Sequence, residues 1–134
     1  MEVLIMQFRV QFKDVDLSQR IHYTALFRYF EACDHEFFRS IELPYKKLFK
    51  EDFSFPRVHV SCEYTGVIEY DDLLTIKTGI KKVGNSSFTY QFDVDNNGSP
   101  VAKGSMTIVC MDTASGKPMP LPDYIRHKLE ENMI

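Results

Sequence analysis

Hydrophobic and polar residues alternate along several stretches of the chain, in the pattern typical of half-buried strands. The alternation predicts a first strand over 3–13 and four later strands over 55–68, 73–80, 88–94 and 101–111. Asn96-Asn97-Gly98 predicts a tight hairpin between the last two, because both central residues must accept positive φ. Gly84-Asn85 predicts another hairpin between 73–80 and 88–94.

The period of the pattern changes over 23–41, which predicts a helix that ends before Pro44. The apolar residues spaced by three and four positions are Leu26, Phe30, Cys33, Phe37 and Ile41. Phe27, Tyr29 and Phe38 lie off this stripe, so the helix is apolar on more than one face, as expected for a helix enclosed by a sheet. A short helical piece is expected over 45–50, and a C-terminal helix over 122–131.

One early helix followed by hairpin-linked strands is an α+β pattern. The economical arrangement is a five-stranded antiparallel sheet wrapped round a long central helix. The 134 residues suffice for one domain with one core, so we expect a single domain over 1–134.

Composition and charge narrow the class of protein. Hydrophobic residues make up 44% of the chain and the net charge is −3, which favours a globular protein that does not bind nucleic acid. The apolar run over 3–6 is too short for a signal peptide or a membrane span. Three widely spaced cysteines, Cys33, Cys62 and Cys110, are typical of reduced thiols, so a cytoplasmic location without membrane association is predicted.

Two carboxylates, Asp14 and Asp16, lie on the loop that leads into the helix. A helix start offers free backbone N–H groups and the positive end of the helix dipole. A carboxylate next to it is a candidate for acyl chemistry. The alternative is that both aspartates are ordinary turn or capping residues.

The sequence contains no motif for metal binding, nucleotide binding or serine hydrolysis. Cys33-Asp34-His35-Glu36 contains four potential metal ligands, but consecutive helix residues point round the cylinder and do not converge on one ion. We therefore predict no metal site. The sequence has no phosphate-binding loop, dinucleotide fingerprint or serine-hydrolase elbow.

The order and spacing of these features resemble the acyl-CoA thioesterases of the hotdog fold, of the 4-hydroxybenzoyl-CoA thioesterase type. The resemblance rests on Asp-x-Asp-x6-Tyr before the helix, on Glu31 and Glu36 within it, and on the strands and Pro-rich tail over 111–122. It covers nearly the whole chain. It implies a hotdog fold, in which two sheets join edge to edge in a dimer with active sites at the interface.

The resemblance also implies roles for two residues. Asp16 matches the catalytic carboxylate, which attacks the thioester or activates water, and the backbone N–H of Tyr23 polarises the carbonyl. Many members carry Gly-His-Val-Asn where this chain has Gln19, Arg20, Ile21 and His22, so a conformationally permissive glycine is missing. Arg20 is a candidate to ion-pair with Asp14 or Asp16 and lower its pKa.

Six further residues complete the expected site. His22 is a candidate partner of Asp16 in a hydratase-like dyad, although it has the alternative role of a loop residue. A partly buried Glu31 near the loop is a secondary candidate, although helix carboxylates usually face solvent. Coenzyme A phosphates are expected near the candidates Lys81, Lys82, Asn85 and Ser86, which otherwise form a basic surface hairpin.

The predicted function is hydrolysis of an acyl- or aroyl-CoA thioester to free acid and coenzyme A. Coenzyme A is part of the substrate, and no cofactor is expected; an acyl-carrier thioester is an open alternative. A homodimer or homotetramer is predicted, because an open five-stranded sheet leaves edges that need cover. The competing hypotheses are a non-catalytic acyl-thioester-binding protein and a hydratase or dehydratase that uses His22.

Overall fold

A computed structural model describes residues 3–134 and contains a five-stranded antiparallel sheet. Its strands in spatial order are β1 (Leu4–Arg9), β4 (Leu73–Val83), β5 (Ser87–Asn96), β6 (Ser99–Val109) and β3 (Arg57–Tyr64). A separate two-stranded ribbon pairs β2 (Phe53–Ser54) with β7 (Met111–Asp112). The predicted α+β class and the five antiparallel strands are confirmed.

Helix α1 (Ala25–Ser40) packs against one face of this sheet. The alternation of β5 turns Phe88, Tyr90, Phe92 and Val94 into the core, where Phe30 of the helix stacks on Phe92 with ring centroids 4.3 Å apart. Gly104 makes this approach possible, because a Cβ there would lie 2.4 Å from the Phe30 ring. The helix therefore sits close to the centre strands of the sheet.

The expected long central helix is not confirmed. Helix α1 has 16 residues rather than the predicted span of 23–41, and its outer face, including Glu31 and Arg39, is exposed. The sheet covers one face of the helix rather than enclosing it. The off-stripe Phe38 is buried because α2 (Tyr45–Leu48) and Phe55 pack against it from the side.

The ends of several other elements also differ from expectation. Strand β1 stops at Arg9, and the chain continues through buried Val10 into a 3-10 turn, Phe12–Asp14. The C-terminal helix α3 (Asp123–Glu130) packs on β4 and on the hairpin after it. No helix within 3–134 is long and apolar enough to cross a membrane. Over the same residues, no group of three or more potential ligands is placed to hold a metal ion.

Candidate active site

The loop between β1 and α1 is a closed structure rather than a flexible connection. Val15 and Ile21 form a bridge, and inside it the Asp16 amide donates to the Arg20 carbonyl at 2.9 Å. Gln19 completes the turn with φ of 66°. The left-handed conformation thus falls at the position that the family resemblance matches to glycine, although this chain has a side chain there.

Asp14 is the anchor of this loop. Its carboxylate is 1% exposed and accepts hydrogen bonds from the Tyr29 hydroxyl at 2.6 Å, from Arg28 at 2.6 Å and from the Gln11 amide at 3.0 Å. Its carbonyl accepts from the His22 amide at 2.7 Å. Burial raises the pKa of Asp14, but the hydrogen bonds from Tyr29 and Arg28 outweigh it, so the pKa is lowered overall.

Asp16 projects into solvent two residues later. Its Oδ1 accepts hydrogen bonds from the amide and hydroxyl of Ser18, which lower the pKa of Asp16 and keep it ionised near neutral pH. Oδ2 has no hydrogen-bond partner within residues 3–134. Among the ion pairs of residues 3–134 there is none between Asp16 and Arg20, although one was expected. Ser18 binds the Asp16 carboxylate instead. The result is a charged carboxylate with one oxygen open.

Tyr23 lies one residue before the N-cap of α1, which is Thr24, rather than inside the first helical turn. In the part of the chain that the structure describes, its amide finds no acceptor, and its carbonyl accepts a hydrogen bond from the Tyr64 hydroxyl. Tyr23, Arg20, Tyr64 and Val67 line a surface cleft of about 230 Å³. Asp16 is not among the lining residues, so one chain does not bring it into the same cleft as Tyr23.

His22 is occupied with the helix start. Its Nδ1 lies 2.8 Å from the Thr24 hydroxyl and accepts from the Thr24 amide at 3.3 Å, and its ring stacks on Tyr23. The charge of His22 contributes to the lowered pKa of Asp16. Glu31 is exposed, in contrast to the partly buried position expected for it, because its helix face is not covered by the sheet.

The residues predicted for coenzyme A lie at the far end of the sheet from this loop. Lys81 and Lys82 are exposed near the end of β4, and Asn85 and Ser86 follow in the hairpin. The carbonyls of Asn85 and Ser86 accept hydrogen bonds from Leu121 and Cys110, so the hairpin is fixed to the C-terminal segment. At roughly 3.3 Å per residue, the 11 residues of β4 separate them from the loop by roughly 30 Å within one chain.

A second polar centre, which the sequence did not reveal, lies deeper in the core. Asp34 is fully buried and accepts hydrogen bonds from Tyr45 at 2.6 Å, Tyr90 at 2.5 Å and Arg57. Burial and the neighbouring Asp34 raise the pKa of Tyr45. Burial alone lowers the pKa of Arg57, but the attraction of Asp34 outweighs it, so that pKa is raised. The local signal that could have indicated this centre is an aspartate next to the apolar stripe of the helix.

Comparison with known proteins places this architecture in a family. A model of the thioesterase-like superfamily matches residues 10–129. The acyl-CoA thioesterase YbgC of Haemophilus influenzae is 21% identical over 119 residues, which cover 88% of each chain.

Solved structures agree with this match. The crystal structure of a hypothetical protein from Aquifex aeolicus has a TM-score of 0.87 and 28% identity, covering 94% of this chain and 98% of that one. A 1,4-dihydroxy-2-naphthoyl-CoA thioesterase from Synechocystis has a TM-score of 0.89 and 16% identity, with 97% of both chains covered. The fold and the family match together define the class of protein.

This chain belongs to the thioesterase-like superfamily. The resemblance to hotdog-fold acyl-CoA thioesterases is confirmed, and with it, at the level of the family, the prediction of a thioester hydrolase. The roles of Asp16, Tyr23, His22, Glu31 and the four candidate coenzyme A residues stay predictions.

Proposed function

We propose that this protein hydrolyses an acyl- or aroyl-CoA thioester to the free acid and coenzyme A, with Asp16 as general base or nucleophile. The observation that carries the proposal is that one anchored loop holds two suitable groups. They are an ionised carboxylate with one open oxygen at Asp16 and, seven residues later, a Tyr23 amide that has no acceptor over residues 3–134. Coenzyme A enters as part of the substrate, and no cofactor is required.

Asp16 suits this reaction because its carboxylate is ionised near neutral pH. Ser18 holds Oδ1, which leaves Oδ2 to attack the thioester carbon or to remove a proton from water. The departing thiolate is a good leaving group, so the reaction needs no strong general acid. A carboxylate of lowered pKa favours the nucleophilic role, because it is a weaker base.

The Tyr23 amide suits the carbonyl oxygen. It lies just before the N-terminus of α1, where the helix dipole favours a developing negative charge. The Tyr64 hydroxyl donates a hydrogen bond to the carbonyl of Tyr23, which orients the peptide group that follows the Tyr23 amide. His22 contributes through its backbone, because its amide is tied to Asp14. Glu31 is retained as a secondary candidate that acts from the exposed face of the helix.

The complete site requires a second copy of the chain. Strand β3 is an edge of the sheet and exposes Val58, Val60 and Tyr64, which are unusual residues to leave in solvent on an unpaired edge. Pairing of two β3 edges forms a homodimer, or the core of a homotetramer. A second copy is also the route by which Lys81, Lys82, Asn85 and Ser86 approach the loop that carries Asp16.

A panel of aromatic, short-chain and long-chain acyl-CoA esters tests the proposal by release of free coenzyme A. Wild-type protein is expected to hydrolyse at least one class, and Asp16→Asn to lose that activity while it still binds the substrate. Asp71→Asn is the matched control, because Asp71 is a nearby exposed carboxylate with no side-chain hydrogen bond among residues 3–134.

A wild-type protein that binds these esters without turnover would favour the non-catalytic binding protein. Hydrolysis that survives in Asp16→Asn but is lost in His22→Ala would move the chemistry to the histidine.

A further inference from the structure

The peptide group that carries the Tyr23 N–H is held from two sides. Its carbonyl, which belongs to His22, accepts a hydrogen bond from the Ala25 amide at 3.0 Å. One residue earlier, the His22 amide donates to the Asp14 carbonyl at 2.7 Å. Within residues 3–134 the Tyr23 N–H itself has no acceptor, so this donor is available to a ligand.

The peptide group after Tyr23 is held by a tyrosine from another part of the chain. Its carbonyl oxygen accepts a hydrogen bond of 2.5 Å from the hydroxyl of Tyr64, 41 residues further along. Its N–H, which belongs to Thr24, donates to Nδ1 of His22 over a longer distance, 3.3 Å. Because the φ and ψ angles of Tyr23 relate the two planar peptide groups, restraining both groups sets the direction of the Tyr23 N–H.

Tyr64 is a firm support for this contact because it ends a paired strand. It is the last residue of β3 and lies opposite Ala102 of β6. Beyond it, the amides of Thr65 and Gly66 both donate to the Val101 carbonyl, at 2.8 and 3.1 Å. Glycine permits this approach, because a Cβ on Gly66 would lie 2.9 Å from the Val101 side chain. A group on such an element keeps its geometry better than a group on a loop.

The Tyr64 side chain also remains a hydrogen-bond donor at neutral pH. Burial raises the pKa of Tyr64 to about 12, and the neighbouring Cys62 contributes to the increase, so the hydroxyl keeps its proton. Tyr64 and Tyr23 line the same cleft of about 230 Å³. A substrate bound at the Tyr23 amide therefore lies next to the contact between the two tyrosines.

We infer that Tyr64 is a positioning residue for thioester hydrolysis, which aims the Tyr23 N–H at the carbonyl oxygen of the substrate. The inference rests on the proposed function and adds a residue that acts through the backbone of another. A donor stabilises a developing oxyanion best when it is already oriented, because no reorientation is then needed as charge builds up. Loss of the Tyr64 hydroxyl should therefore weaken binding of the transition state more than binding of the substrate.

Steady-state kinetics of Tyr64→Phe test this role, because the substitution removes the hydroxyl and leaves the ring. For the thioester that the wild type hydrolyses best, we expect kcat to fall by about tenfold or more and KM to change by less than about twofold. Tyr70→Phe is the matched control. Tyr70 is exposed, its amide donates to the Gln19 carbonyl of the same loop, and its hydroxyl has no hydrogen bond over residues 3–134. Urea unfolding checks that both variants are folded.

Infrared spectroscopy of a bound ester separates positioning from a general structural effect. Hexanoyl-CoA or benzoyl-CoA, whichever binds more tightly, is labelled with a heavy carbon isotope at the carbonyl and bound to Asp16→Asn protein, in which turnover is blocked. A donor aimed at the carbonyl oxygen polarises the C=O bond and lowers its stretching frequency. We expect this frequency to rise when Tyr64→Phe is added and to stay the same when Tyr70→Phe is added.

Three results would overturn the inference. The first is an unchanged kcat in Tyr64→Phe. The second is a raised KM without a loss of kcat, which would mean that the hydroxyl binds the substrate itself. The third is a carbonyl frequency that Tyr64→Phe does not move. A wild-type protein that hydrolyses no thioester would instead overturn the proposed function. Because the carbonyl frequency is measured without turnover, the two failures are distinguishable.

Discussion

The Tyr29 hydroxyl donates a hydrogen bond of 2.6 Å to the Asp14 carboxylate, and this contact ties helix α1 to the loop that carries Asp16. Arg28 reinforces it from the neighbouring helix position. Through its carbonyl, Asp14 also holds the amide of His22, the residue before Tyr23. One buried carboxylate thus helps to position both groups that we propose for the chemistry, Asp16 and the Tyr23 amide.

Asp14→Asn is therefore expected to destabilise the fold and to reduce turnover. Loss of the charge weakens the bonds from Arg28 and Tyr29, and we expect a loss of about 1–3 kcal/mol in the free energy of unfolding, measured in urea. Tyr29→Phe removes one hydrogen bond and should cost about 1 kcal/mol. Strictly additive effects in the double variant would contradict a direct coupling.

The same network predicts a pH dependence of stability. Because the folded-state pKa of Asp14 is lowered, its contribution is fully present above the ordinary value of 3.8 and is lost as the pH falls through the folded-state pKa. The stability difference between wild-type protein and Asp14→Asn should thus shrink in acid. A difference that stays constant down to the acid unfolding transition would contradict the assignment.

We expect Ser18 to set the acid limb of the activity profile. Its amide and hydroxyl lower the pKa of Asp16, so turnover is present above that pKa and declines only as the pH falls through it. Ser18→Ala removes the hydroxyl, and the acid limb of kcat/KM should move to higher pH. Ser99→Ala, at an exposed position of strand β6 away from the loop and the β3 edge, is a control that should leave the limb in place. An unmoved limb in Ser18→Ala would mean that another group titrates.

Gln19 carries the conformational strain of the loop, with φ of 66°. A left-handed conformation costs an ordinary residue about 1–2 kcal/mol, and a glycine would remove this strain from the folded state. Part of the benefit is lost because glycine also gives the unfolded chain more conformational entropy. Gln19→Gly should therefore raise the free energy of unfolding slightly, by up to about 1 kcal/mol. Gln91→Gly, in the extended strand β5, should lower it. Equal losses in both variants would contradict the argument from φ.

The two edges of the sheet give a matched pair of variants that test the proposed dimer. Val60 on β3 and Ile5 on β1 are both exposed apolar residues on edge strands. Val60→Lys should convert the dimer to monomers in light scattering, because a lysine there repels its counterpart across the two-fold axis. Ile5→Lys should leave the dimer intact. A monomeric wild-type protein, or dissociation caused only by Ile5→Lys, would exclude the β3 interface.

The strands were predictable from sequence because each carries its own signal. Phe88, Tyr90, Phe92 and Val94 alternate with polar residues regardless of what they pack against. The β2–β7 ribbon was missed because strands of two residues are too short to show an alternation of hydrophobic and polar residues. The helix start was placed two residues early, since the pattern does not show that Thr24 is the N-cap.

The site was harder to predict than the fold. The pattern indicates a carboxylate pair before a helix, but it does not say which member is buried. Asp14 is buried because Arg28 and Tyr29 reach it from 14 and 15 positions away, and such long-range partners leave no local signal. The exposure of Glu31 was misjudged for the related reason that the sheet covers only one face of the helix.

The most direct measurement is the steady-state kinetics of Asp16→Asn on the best thioester substrate, next to Asp71→Asn as the control. The variant keeps the shape of the side chain but has neither a base nor a nucleophile, so kcat should fall by about a hundredfold or more while KM changes little. Asp71→Asn should match the wild type. If Asp16→Asn retains most of the wild-type kcat, Asp16 is not the catalytic carboxylate and the account is contradicted.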